Sequence, residues 1–141
     1  MMDKTVGELA TREFWRVAPD DTADAIADEM VARRLTWVPV LEHGILVGVV
    51  SAWDLLHLRA RGQAGDTPAW RVCTYKPLAV AEDTPAHEAA RLMRDSHVHH
   101  LLVTSPERTV VGIVSPLDLL VGHDRNASDH DLRPVPPRAG P

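Results

Sequence analysis

Residues 48–56 read GVVSAWDLL, and residues 112–120 read GIVSPLDLL. A glycine, two aliphatics, a serine, two variable residues, an aspartate and two leucines recur 64 positions apart. The β-branched pairs Val49-Val50 and Ile113-Val114 suit a strand, and Ser51 and Ser115 are good helix-starting residues. Each stretch therefore reads as a strand that turns into a helix. What the serine and aspartate do at that turn has two answers: they start a helix, or they hold something.

The repeat extends backward through most of the chain. Thr11 and Thr74, Val17 and Val80, Ala27 and Ala90, Met30 and Met93, and Val40 and Val103 are each 63 apart. One extra residue in the second copy, within TSPERTV, moves the offset to 64, and a loop tip is where an insertion is tolerated. The first copy opens with a short helical TVGELA and a few extended residues ending at Val17. In PDDTADAIADEMVARRL, Asp21 or Thr22 caps a helix, and Ile26, Met30 and Ala27, Val31 mark an apolar face at i,i+4 spacing. TWVPVL and ILVGVVS, split by EHG, predict a hairpin; AWDLLHL closes the copy as a helix. The second copy answers with EDTPAHEAARLMRDSH, HLLVT, VVGIVS and PLDLLVG, where Pro116 occupies the first helical turn, its least costly place.

A β-α-β-β-α unit of roughly 55 residues cannot bury both faces of so small a sheet, whereas two units packed together can. The expected fold is α/β (α+β), with two such repeats packed through their sheets into one pseudo-two-fold module. The expected organisation is repeat 1 over 1–58, a linker over 59–68, repeat 2 over 69–122 and a mobile tail over 123–141. The polar HLRARGQAGDTP, residues 57–68, carries the linker reading. The tail GHDRNASDHDLRPVPPRAGP is rich in proline and charge. Its RPVPPR could adopt polyproline II and meet a partner, but a plain disordered end is the preferred reading.

Composition narrows the function. The chain has 141 residues, 45% hydrophobic and 25% charged, with a net charge of −5. Its 15 Lys and Arg residues form no basic run, so neither nucleic acid nor an anionic membrane is an expected partner. No apolar run approaches the roughly 20 residues a membrane span needs, and the first residues lack a signal-like apolar segment. Cys73 is the single cysteine, which excludes an intrachain disulfide and makes the cytoplasm the default compartment. In that compartment the Asn126-Ala127-Ser128 acceptor pattern has no meaning.

A tandem β-α-β-β-α repeat, with Pro39-Val40 in the first hairpin strand and G-h-h-S-x-x-D entering the last helix, resembles a pair of CBS domains. The resemblance covers residues 5–122. It implies two repeats forming one module with two clefts, commonly paired again into a dimer. It also implies a regulatory role, in which a cleft binds an adenosine compound such as AMP, ADP, ATP or S-adenosylmethionine. The motif aspartate would accept hydrogen bonds from both ribose hydroxyls, and the serine would face ribose or phosphate. Side-chain chemistry is compatible: a carboxylate offers two acceptor oxygens to a vicinal diol, and a helix start favours an anion. The i,i+3 spacing of Ser51 with Asp54 and of Ser115 with Asp118 also fits a capping box, a purely structural device.

By resemblance to the gamma subunit of AMP-activated protein kinase, one cleft would use Ser115, Asp118, Ile113, His99 and His100, with Thr11, Arg16, Leu35 and Thr36 around the base. The other would use Ser51, Asp54, Val49, Thr36 and Trp37, with Thr74, Ala79, Val98 and His99 opposite. Where that subunit has His-Arg before its strand, this chain has His99-His100 and Thr36-Trp37. The first cleft is therefore the better equipped, with Arg16 its permanent cation and two imidazoles that charge as pH falls.

The expected function is a regulatory adenosine-nucleotide-binding module with no essential cofactor and no turnover. A ligand bridging both repeats would shift a conformational or dimer equilibrium and signal to an effector protein. The alternative is a ligand-free dimerisation and interaction module, with Trp15, Trp53 or Trp70 as interface anchors. SHVHH, residues 96–100, would place His97 and His99 on one face of an extended strand. No paired cysteines or H-E-x-x-H pattern accompany it, so no metal is expected. Cys73 is expected in the core.

Overall fold

The computed structural model describes residues 3–75 and 78–123. Of the expected tail, residues 124–141, with the polyproline stretch, lie outside the described residues, whereas His123 is helical. In chain order the elements are α1 (Val6–Leu9), α2 (Ala23–Arg33), β1 (Trp37–Glu42), β2 (Ile45–Ser51), α3 (Ala52–Ala60), α4 (Ala69–Val72), β3 (Ala79–Ala81), α5 (Ala86–Ser96), β4 (Leu101–Thr104), β5 (Val110–Val114) and α6 (Pro116–His123). The fold is mixed α+β with small sheets, as the repeat pattern implies.

These elements form two compact units. The described residues of the first unit are 15–75, and those of the second are 3–14 and 78–123. Packing therefore divides the chain differently from the sequence repeat, because α1 belongs with the second copy. Val6 N–H donates to the Thr84 carbonyl at 2.8 Å, Gly7 N–H to Glu82 at 2.9 Å, and Ala86 N–H to Lys4 at 2.8 Å. The short α4 does the same for the first copy: Ala69 N–H bonds the Asp21 carbonyl at 2.8 Å and Trp70 N–H that of Pro19 at 3.1 Å. A four-residue helix holds almost no stability alone, so each depends on the core it docks against. Val6 is fully buried in the second unit, and Ala69 in the first.

In the second unit β3 runs parallel to β4, and β4 antiparallel to β5. In the first unit only β1 and β2 form a sheet, and the first strand of the expected order shrinks to a parallel bridge between Val17 and Val40. The cause is local. Glu82 N–H extends β3 by bonding the Thr104 carbonyl at 2.9 Å, but its counterpart is Pro19, which has no N–H to give. Ala18 N–H meanwhile turns away to the Asp21 carboxylate at 2.8 Å.

The hairpin expected at EHG is present. His43 and Gly44 both have positive φ, 54° and 82°, the requirement of a two-residue turn that matches strand twist. Thr22, rather than Asp21, caps α2 by accepting from Ala25 N–H at 3.2 Å. Ile26, Ala27 and Met30 are buried, but Val31 is 79% exposed and does not belong to the core face. The polar stretch from residue 57 is helical through Ala60, and Leu58 within it is buried. No helix among the described residues is long and apolar enough to cross a membrane.

Candidate functional site

The glycine of the repeated stretch lets another chain segment come close. Gly112 faces Ala10 and Thr11, and an added Cβ would meet the Ala10 methyl at 2.8 Å. There Thr11 and Ile113 exchange backbone hydrogen bonds of 2.8 and 3.0 Å. Gly48 faces Cys73 and Thr74, where an added Cβ would meet the Thr74 oxygen at 2.6 Å. Thr74 and Val49 exchange bonds of 2.8 and 2.9 Å. The structure thus brings Thr11 to Ile113 in the second unit and Thr74 to Val49 in the first.

Both Ser/Asp pairs form at the adjoining helix starts. Ser51 N–H donates to Asp54 Oδ2 at 2.8 Å, and Asp54 N–H to Ser51 Oγ at 3.1 Å. In the second unit Ser115 N–H and Ser115 Oγ both donate to Asp118 Oδ2, at 2.9 and 3.0 Å, while Asp118 N–H reaches Ser115 Oγ at 3.4 Å. The capping reading is therefore realised in both copies. It does not use up the carboxylate. Each carboxylate oxygen carries two acceptor sites; Asp118 Oδ2 fills both of its own, and no donor among the described residues bonds Oδ1. Two acceptor sites, on a half-buried side chain, match the two donors of a vicinal diol.

The residues before the strands differ between the units. Trp37 pairs with Ser51, and Ala52 N–H extends the ladder to the Thr36 carbonyl at 2.8 Å. In the second unit the counterpart of Ala52 is Pro116, which cannot donate, and the ladder ends with Leu101 opposite Val114. His100, next in line, is half-buried, and His99 is exposed in a bend. Leu35 packs against the core of the first unit and Val98 against that of the second. Exposed Arg16 and Thr36 belong to the first unit, and exposed Ala79 to the second.

Three expectations about other residues are corrected or refined. Trp15 is only 6% exposed and belongs to the core of the first unit, so it is no interface anchor; Arg33 covers its ring at 5.6 Å. His97 is not on an extended strand: it ends α5 in the left-handed region with φ 56°, so His97 and His99 do not form a strand face. Cys73 is buried as expected, and burial pushes its thiol above the ordinary range, which suppresses the reactive thiolate.

A feature not singled out from the motif is a groove of about 910 Å³ in the second unit, along α5 and α6. Val98, His99 and Pro116 line it, together with His87, Arg91 and Arg94; Ser115 and Asp118 do not. The signal for it in the sequence was the spacing of His87, Arg91 and Arg94 on one helical face.

The CBS domain family model matches residues 6–61 and 69–122. The chain belongs to the CBS domain family. Among curated relatives, the CBS domain-containing protein YhcV of Bacillus subtilis is 27% identical over 125 residues, which is 88% of this chain and 89% of that protein. Among solved structures, CBSX2 in complex with AMP is 26% identical with a TM-score of 0.75, covering 91% of this chain and 98% of that one. The CBS domain protein PAE2072 of Pyrobaculum aerophilum, complexed with AMP, is also 26% identical, with a TM-score of 0.70 over 81% of this chain and 88% of that one. CBS-domain pairs of this kind are regulatory modules.

Proposed function

We propose that this CBS-domain protein is a regulatory module that binds an adenosine nucleotide, with AMP the first ligand to test, at the start of α6. The observation that carries this reading is the Asp118 carboxylate, whose Oδ2 holds the helix while Oδ1 keeps two acceptor sites. AMP in two related structures supports the ligand class. Thr11 and Ile113 form the adjoining edge, and His99 and His100 supply imidazole groups for phosphate. The Ser51/Asp54 pair with Val49, Thr36 and Thr74 is a second candidate, with Thr36 and Trp37 where the first has His99 and His100. ADP, ATP and S-adenosylmethionine are the competing ligands. Occupancy would shift the population between states that differ in affinity for a second copy or an effector protein. No turnover is proposed, and a cytoplasmic location remains the reading for a chain whose one cysteine is a buried thiol.

The ribose assignment has a direct test. Isothermal titration with AMP and with 2′-deoxy-AMP compares one hydroxyl. A hydrogen bond to a charged acceptor contributes about 1.5–3 kcal/mol, so the deoxy analogue should bind roughly 10-fold to 100-fold more weakly. Equal affinities would remove the carboxylate from ribose recognition.

A second reading, a ligand-free interaction module, is favoured by one observation. Trp53, Leu56, Leu117 and Leu120 are large apolar side chains exposed on α3 and α6.

A further inference from the structure

The groove along α5 and α6 carries cations that the fold does not require. It lies wholly within the second unit, and neither Ser115 nor Asp118 lines it. With the proposed nucleotide site it has only His99 in common. Part of its apolar lining belongs to the repeat, since Ala90 and Met93 answer to Ala27 and Met30 at positions 63 residues earlier. Its charges do not repeat. His87, Arg91 and Arg94 stand where the first copy has Asp24, Asp28 and Val31. A copy that folds with two acids and a valine at these places shows that packing does not call for the cations. Nor are they spent on ion pairs that hold the fold. Exposed Arg91 has no hydrogen-bond or ion-pair partner among the described residues, and Arg94 reaches its chain neighbour Asp95 at 3.3 Å, both side chains exposed.

The lining narrows what such a groove can hold. Among the described residues every polar side chain in it is ionisable: His87, Arg91, Arg94, His97 and His99 are basic, and Asp3 is the one acid. Asp3 is already engaged, its Oδ2 accepting from His87 N–H at 2.8 Å and lying 2.6 Å from His87 Nδ1. No serine, threonine, asparagine or glutamine lines the groove to bond the hydroxyls of a sugar. What remains is apolar surface from Met93, Val98, Leu119 and Leu120 beside guanidinium groups. Arg91 and Arg94, three residues apart, are neighbours on one helical face, and guanidinium groups grip a carboxylate or phosphate through paired hydrogen bonds. The volume of about 910 Å³ falls within the range of small-molecule sites. The lining runs from Ala86 at the start of α5 to His99 beyond its end, a helix length of about 16 Å.

We propose that this groove binds a single-chain amphiphile with an anionic head, its alkyl chain along Met93, Leu119 and Leu120 and its head at Arg91 and Arg94. A carboxylate and a phosphate monoester share the head chemistry. The site works without nucleotide and does not depend on the ribose reading of Asp118.

Isothermal titration of the full chain, below micelle-forming concentrations, tests this with decanoate and decyl phosphate. Decanol supplies the chain without charge, and acetate and inorganic phosphate supply the head without a chain. One or both of the charged amphiphiles should bind, the tighter naming the head, and the three controls should bind at least about tenfold more weakly. Arg91→Gln with Arg94→Gln should weaken binding about tenfold or more, and Ala90→Glu, which sets a carboxylate in the groove, should abolish it. Arg59→Gln, an exposed cation of the first unit, should leave it unchanged. All these positions are exposed, and circular dichroism confirms the fold of each variant. No heat with either charged amphiphile overturns the proposal. Equal binding of decanol removes the cations from it, and equal binding of acetate or phosphate removes the chain. Affinity indifferent to the Arg91, Arg94 and Ala90 changes shows adventitious binding elsewhere and overturns the site.

Discussion

At Gly48 and Gly112 the presence or absence of one methyl group decides whether a strand closes. A Cβ at Gly48 would lie 2.6 Å from the Thr74 oxygen and 2.8 Å from Cys73 Sγ, both closer than van der Waals contact allows. Neither neighbour yields easily, because Thr74 is held by two backbone bonds to Val49 and Cys73 is buried. Forcing extra volume into a packed site costs about 1–3 kcal/mol. Gly48→Ala should therefore lower the unfolding free energy by about that amount in a urea titration, and an unchanged midpoint would remove the close approach from the account. The glycine belongs to architecture, then, while the aspartate six residues on serves two purposes through two oxygens. At this scale the motif residues were legible from the repeat. The division of Asp118 between Oδ2 and Oδ1 was not, because spacing reports that two side chains can meet and not which lone pairs remain.

Among elements, helix starts show how one role is filled by different residues. Ser51 closes a reciprocal box at α3 and Thr22 caps α2, but α5 begins after Pro85, which offers no side-chain cap. There Asp3 serves instead, accepting from His87 N–H at 2.8 Å across 84 residues of sequence. A capping serine contributes about 1 kcal/mol. Ser51→Ala should lose about that much stability in thermal or urea unfolding, and no loss would show that the box at α3 is idle. The helices, the EHG turn and the hairpins could be read from periodicity and turn chemistry. The lost first strand of the first unit was written at Pro19 and Asp21, but only the partner strand reveals which N–H is missing. The docking of α1 and α4 was beyond reach for a different reason: their side chains suit either copy's core, and proximity along the chain favours the wrong one.

For the whole molecule, exchanged head segments tie each unit to the other half of the sequence, so neither repeat is a self-sufficient piece of chain. Such a pair keeps two related helix starts on one polypeptide, and divergence has given them different surroundings: Thr36 and Trp37 in one, His99 and His100 in the other. The central claim is that the carboxylate at the start of α6 reads a ribose as well as capping a helix. Removing it by Asp118→Ala would confuse the two roles. Asp118→Glu separates them, because glutamate is the preferred acid in a capping box but its extra methylene displaces the oxygen offered to ligand. The measurement is calorimetric titration of AMP into the wild type, Asp118→Glu and Asp54→Glu, with melting temperatures alongside. The account predicts binding to the wild type and an unchanged melting temperature in both variants. It predicts a loss of about tenfold or more in affinity for Asp118→Glu, exceeding that for Asp54→Glu. No heat of binding with the wild type at millimolar AMP, or full affinity retained by Asp118→Glu, would contradict it.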